Sequence, residues 1–72
     1  MGDFGARFKK CRRDANLKQT KAAELIGISQ PTLSQYETNV YEPTVSVLLK
    51  MSEVYAVSLD YLLGVSDLNE SK

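Results

Sequence analysis

The stretch from Gln19 to Glu37, QTKAAELIGISQPTLSQYE, constrains the fold more than any other part of the chain. Its apolar residues Ala22, Ile26, Ile28, Leu33 and Tyr36 fall at steps that one straight helix cannot bring to a single face. A bent pair of helices can. The bend belongs at Gly27, because glycine reaches positive φ without a Cβ clash and so ends a helix in the left-handed conformation. Ile28 then drops toward the core as the chain turns. Ser29 stands where its hydroxyl can accept a free N–H from the first turn of the second helix. Pro31 fits in that turn because the early N–H groups have no intrahelical partner to lose. Ala23 supplies the small side chain that two closely crossing helices need.

Helical signals continue on both sides. Phe8, Cys11 and Ala15 share one face of a first helix running from about Phe4 to Ala15, and Asn16 follows where a left-handed residue ends it. The second helix of the bent pair covers about Gln30 to Thr38. Val45, Leu48, Met51, Ser52 and Tyr55 line a fourth helix from about Val45 to Tyr55, capped by Thr44 after Pro43. Ser58 caps a short fifth helix that Leu59, Leu62 and Leu63 fasten to the core before Gly64 stops it. Residues 1–64 therefore form one domain, and Val65 to Lys72 a short polar tail expected to be mobile.

A chain of 72 residues, 43% hydrophobic and 25% charged, suits one small domain, which buries about 60% of its unfolded surface. Cys11 is the only cysteine and there is no histidine. An internal disulfide is impossible, and most metal sites and nucleophile–base pairs are excluded, so neither cofactor, metal nor catalysis is expected. Cys11 itself reads as core; a redox-sensing role would require exposure and a lowered pKa beside Arg12. No apolar run approaches a membrane span and no signal peptide stands at the N-terminus, so a cytoplasmic protein is expected.

The window Gln19–Glu37 resembles the helix-turn-helix of the Cro/C-repressor (XRE) family of bacterial and phage DNA-binding proteins. The resemblance covers nearly the whole chain. FGARFKKCRRDANLKQ is similar to the family's first helix and its connection, and YEPTVSVLLKMSEVYAVSLDYLLG to its loop, fourth and fifth helices. Gln19, Gly27, Ser29, Tyr36-Glu37, Glu42-Pro43 and above all VSLDYLLG carry it jointly. The fold implied is all-α, a compact five-helix lambda-repressor-like domain with the helix-turn-helix at helices 2 and 3. The function implied is sequence-specific DNA binding by a transcriptional regulator, a repressor foremost. The alternative is a protein-interaction module, antitoxin-like or anti-repressor, that keeps the fold.

The resemblance also implies roles for particular residues. Helix 3 would enter the major groove of double-stranded DNA with its N-terminal half toward the bases. Gln30 and Gln35, about 140° apart around that helix, would address different base pairs, each offering an amide donor and acceptor to adenine. Thr32 could present its methyl to thymine, whereas Pro31 can make only apolar contact. Gln19 matches the family's phosphate-contacting glutamine, and Ser29, Thr38 and Asn39 could add neutral phosphate contacts. Arg12 and Glu37 match a pair that braces the end of helix 3, with Gly27 and Ala23 supporting the turn. A two-fold homodimer on a palindromic operator follows, with Val47, Val54, Tyr61 and Val65 as candidate dimer contacts. No small-molecule-sensing domain is expected after helix 5.

Net charge is zero and the pI near 6.2, low for a DNA-binding domain. The distribution is uneven. Through Lys21 there are seven cations (Arg7, Lys9, Lys10, Arg12, Arg13, Lys18, Lys21) against Asp3 and Asp14, an excess of five, and the remainder carries the matching deficit. Lys9, Lys10 and Arg13 read most simply as the solvated face of helix 1; a basic pole for phosphate is the alternative. Three departures from the family pattern stand out. Ala22 and Leu25 exchange size and polarity on helix 2. Val40 and Tyr41 fill a loop where the family often places cations. Lys18 and Lys21 replace the capping box of helix 2, so two cations oppose the helix dipole until an anion arrives, which marks them as phosphate-contact candidates.

Overall fold

The computed structural model describes residues 3–68, which form five α-helices and no strand. In chain order they are α1 (Gly5–Asp14), α2 (Gln19–Ile26), α3 (Gln30–Glu37), α4 (Val45–Tyr55) and α5 (Leu59–Leu62). The all-α five-helix expectation is met. α1 packs against α3, α4 and α5, while α2 packs against α3 and α4. The bent pair α2–α3 thus rests on a platform made by the other three helices.

Each helix contributes to one core. Phe8 and Cys11 come from α1, Ala22, Ala23 and Ile26 from α2, Leu33 from α3, Met51 and Tyr55 from α4, and Leu62 from α5. Cys11 is only 1% exposed, and desolvation pushes its thiol above the ordinary value of 9.0, so it is a core residue and not an exposed low-pKa thiol. Ile28, Tyr36, Val47, Leu48, Val54 and Tyr61 are half-buried against this core.

Three helices begin on a side-chain cap. Ser29 Oγ accepts the Thr32 N–H at 3.2 Å, Thr44 Oγ1 the Val47 N–H at 3.3 Å and Ser58 Oγ the Tyr61 N–H at 3.1 Å. A cap of this kind contributes about 1 kcal/mol. α2 begins on Lys18, in an extended conformation with no side-chain cap. The α1 start is served from a distance, since the Gly5 N–H donates to Asn39 Oδ1 at 2.9 Å.

Helix ends share one device. α1, α3, α4 and α5 each close with paired backbone bonds, for example Asn16 N to Arg13 O (2.9 Å) with Leu17 N to Arg12 O (3.2 Å), and Ala56 N to Glu53 O (3.2 Å) with Val57 N to Ser52 O (3.0 Å). The residue at each corner has positive φ: Asn16 61°, Asn39 66°, Ala56 56° and Gly64 76°. Gly27, at φ 93°, makes the turn between α2 and α3. Ala56 is the one corner whose residue type gave no sign of this, because a left-handed alanine is strained by its Cβ.

Residues 65–68, assigned from sequence to a mobile tail, make defined contacts. Arg7 Nη1 donates to the Tyr61 carbonyl at 2.6 Å and the Ser66 carbonyl at 3.3 Å, and Nη2 lies 3.1 Å from Asp67 Oδ1. The rest of that tail, 69–72, lies outside the described residues. Among the described residues no helix is long and apolar enough to cross a membrane.

Candidate nucleic-acid interface

The candidate interface is organised by a buried ion pair. Arg12 on α1 and Glu37 at the end of α3 are 8% and 7% exposed. Arg12 Nε donates to Glu37 Oε2 at 2.7 Å, Nη2 to Glu37 Oε1 at 3.1 Å and Nη1 to the Leu17 carbonyl at 2.8 Å. Charges this deep are tolerable only when paired and hydrogen-bonded. The bond to Glu37 raises the guanidinium pKa further, against the opposing effect of burial. One side chain thereby ties α1, the connection into α2 and the end of α3. Arg12 and Glu37, the two residues the family resemblance pairs, are thus in direct contact.

From Glu37 the bonding continues to α2 and the start of α3. Gln19 Nε2 donates to Glu37 Oε1 at 2.9 Å, and Gln30 Nε2 donates to Gln19 Oε1 at 2.7 Å. Gln30 retains its own oxygen and a second N–H. Those are the two groups an adenine edge requires. Farther along α3, Gln35 is exposed. Pro31 is exposed in the first turn, and the half-buried Thr32 hydroxyl lies 2.7 Å from Ser29 Oγ, either donating to the other.

The residues assigned to phosphate from sequence differ in how much of their polar capacity is already engaged. Lys18 and Lys21 are exposed, with Lys21 Nζ 3.8 Å from Glu24 Oε1. Ser29 caps α3, and Thr38 Oγ1 donates to the Ser34 carbonyl at 2.9 Å. Asn39 Oδ1 accepts the Gly5 N–H and its Nδ2 donates to Asp3 Oδ1 at 2.6 Å, which leaves a second N–H on Nδ2. Among the candidate dimer contacts, Val47, Val54 and Tyr61 pack partly on the core, and Val65 is 75% exposed.

Three features lie outside the expectations drawn from the sequence. Arg7, one of seven N-terminal cations, clasps the α5 end with its guanidinium carbon 4.5 Å from the centroid of the Tyr61 ring. Lys10 pairs with Asp14 at 2.7 Å and lies over the same ring. Part of the basic excess is therefore bound internally. Tyr55 Oη is buried with no hydrogen-bond partner among the described residues, and desolvation, then Glu37, pushes its pKa up. Among the described residues no group of three or more His, Cys, Asp or Glu side chains could hold a metal ion.

The helix-turn-helix family model matches residues 8–62, which takes in the buried pair, all three glutamines and the turn. The chain belongs to the XRE-type helix-turn-helix family. It is 41% identical over 67 residues to the HTH-type transcriptional regulator ImmR of Bacillus subtilis, covering 93% of this chain and 53% of that protein. The chain spans about half the length of the first curated relatives it matches. The P22 c2 repressor, solved in complex with a synthetic operator, superposes with a TM-score of 0.80 at 30% identity, covering 88% of this chain and 96% of that one. The N-terminal DNA-binding domain of SinR from Bacillus subtilis gives 0.77 at 33% identity, over 83% and 88% of the two chains. Fold and family are those of DNA-binding transcriptional regulators.

Proposed function

We propose that this chain is the DNA-binding part of a transcriptional regulator, most simply a repressor, that reads a palindromic operator as a two-fold dimer. The observation that carries the reading is the linked pair Gln19–Gln30 at the mouth of the bent helices. It holds one glutamine of α3 with a donor and an acceptor still available on a fold that, in the P22 c2 repressor, has been solved bound to an operator. In this reading α3 lies in the major groove. Gln30 and Gln35 contact bases, with Pro31 and Thr32 beside them, while Lys18, Gln19, Lys21 and Ser29 set the register on phosphates. Thr38 retains an exposed position for a phosphate. Asn39 fixes the α3 corner through Gly5 and Asp3 and keeps a second amide N–H for a phosphate.

The test is selection of bound duplexes from a random pool by the purified chain. The expected product is an inverted repeat with half-sites centred about 34 to 36 Å apart, whose binding weakens steeply with salt. Changing Gln30 and Gln35 to alanine removes the preference. A pool that emerges unenriched rejects the reading. A second reading, a protein-interaction module, is favoured by the loop between α3 and α4, where Val40 and Tyr41 are 58% and 62% exposed on a chain of zero net charge. A chain blind to DNA that binds a protein partner through Val40 and Tyr41 selects it.

A further inference from the structure

We propose that Glu37, acting through Gln19, fixes the order in which Gln30 offers its donor and acceptor to a base, and is thus a specificity-determining positioning residue. The inference rests on Gln30 reading a base as described above. It follows from what each side chain can chemically do. Arg12 has only donors, and two of them hold both oxygens of Glu37, at 2.7 and 3.1 Å. Glu37, as a carboxylate, has only acceptors. Whichever end of the Gln19 amide meets Glu37 must therefore be its Nε2, which leaves Oε1 for the next residue. An amide oxygen only accepts, so Gln30 must meet it with Nε2.

Polarity thus passes from a buried charge to the exposed edge of α3 with no alternative at any step. An isolated glutamine amide can turn over at little cost; this one cannot turn over without setting two donors or two acceptors face to face. At Gln30 the second N–H lies on the Gln19 side and the oxygen on the far side. Adenine shows N7, an acceptor, beside the N6 amino donor, and only one order of amide atoms matches it from a given approach. Guanine, with acceptors at both N7 and O6, meets one clash in either order. Neither Arg12 nor Glu37 need touch DNA to have this effect.

The test compares base preferences of the wild-type chain with those of Gln30→Ala, Gln35→Ala, Gln19→Met and Glu37→Gln, each checked for helical content and a cooperative melt. Gln30→Ala identifies the base pair that Gln30 reads. Wild-type preference there is roughly 5- to 150-fold for one bidentate contact. Glu37→Gln supplies a donor where only acceptors stood and lets the relay run either way, and Gln19→Met cuts it. Both are expected to reduce preference at that one base pair to within about 3-fold, with the preference that Gln35→Ala removes left intact. Even loss of affinity at all positions, with the Gln30 preference preserved, overturns the proposal. Should Glu37→Gln fail to fold, Gln19→Met decides alone, because it leaves the Arg12–Glu37 pair whole. If Gln30→Ala alters no preference, the base-reading role of Gln30 falls and this proposal with it, an outcome distinct from an effect confined to Gln30→Ala.

Discussion

The two helices of the bent pair begin in opposite ways. α3 starts on Ser29, whose hydroxyl caps a turn containing Pro31. α2 starts on Lys18, uncapped, with Lys21 in its first turn and no acidic residue there. What α2 lacks nearby is supplied from afar, by Arg12 on the Leu17 carbonyl and by Glu37, 18 residues on, holding Gln19. One start is stabilised within four consecutive residues and would survive small shifts in the fold. The other depends on tertiary structure, so its stability and the geometry of Gln30 are set by the same contacts.

The hardest blow to that contrast is Glu37→Ala. It leaves Arg12 buried without a counter-charge and Gln19 without its anchor, and is expected to cost about 3 to 5 kcal/mol in chemical denaturation. A loss below about 1 kcal/mol would mean that α2 is not held from a distance. Next comes Lys18→Ser with Lys21→Glu, which restores a capping box and is expected to add about 1 to 2 kcal/mol to stability. In DNA titrations the same double variant should bind more weakly with a shallower salt slope; unchanged affinity and slope would detach these lysines from phosphate. Ser29→Ala should cost about 1 kcal/mol by denaturant melts, a purely local loss.

The smallest effect lies outside both helix starts and serves as their reference. Cys11 and Tyr55 have their pKa values raised by desolvation, so the folded chain holds these protons more tightly than the unfolded one. Their contribution is whole below the ordinary values of 9.0 and 10.0 and is lost as pH rises beyond them. Thermal midpoints should therefore decline from about pH 8.5 upward, and Cys11→Ala should flatten the first part of the decline. A midpoint that rises over that range would contradict the assignment.

What could be read from sequence divides along the same line. Gly27, Ser29, Thr44 and Ser58 act on residues within one turn of themselves, and the helices end and begin where those signals stand. The α4 limits, Val45 to Tyr55, were legible for the same reason. At the candidate interface, residue types were legible and so, through the family resemblance, was the Arg12–Glu37 pair, but the rest of the wiring was not. Gln19 and Gln30 are 11 positions apart and Arg7 and Tyr61 are 54 apart, distances at which no periodicity carries information. Asn39 was legible as an exposed polar residue, but its second task, accepting the Gly5 N–H at the α1 start, was not. Ala56 escaped notice because nothing in its side chain favours the left-handed corner it occupies.

Gly5 has a consequence that reaches beyond the start of α1. A Cβ placed there would collide with the Glu37 and Tyr36 carbonyls, and these are backbone atoms that cannot swing aside. Any larger residue at Gly5 would act as a wedge, driving α1 and the C-terminal end of α3 apart. Because Arg12 sits on one arm and Glu37 on the other, the opening would be felt as a tilt of α3. The hydrogen atom of a glycine thus gauges the angle at which the candidate reading head is carried.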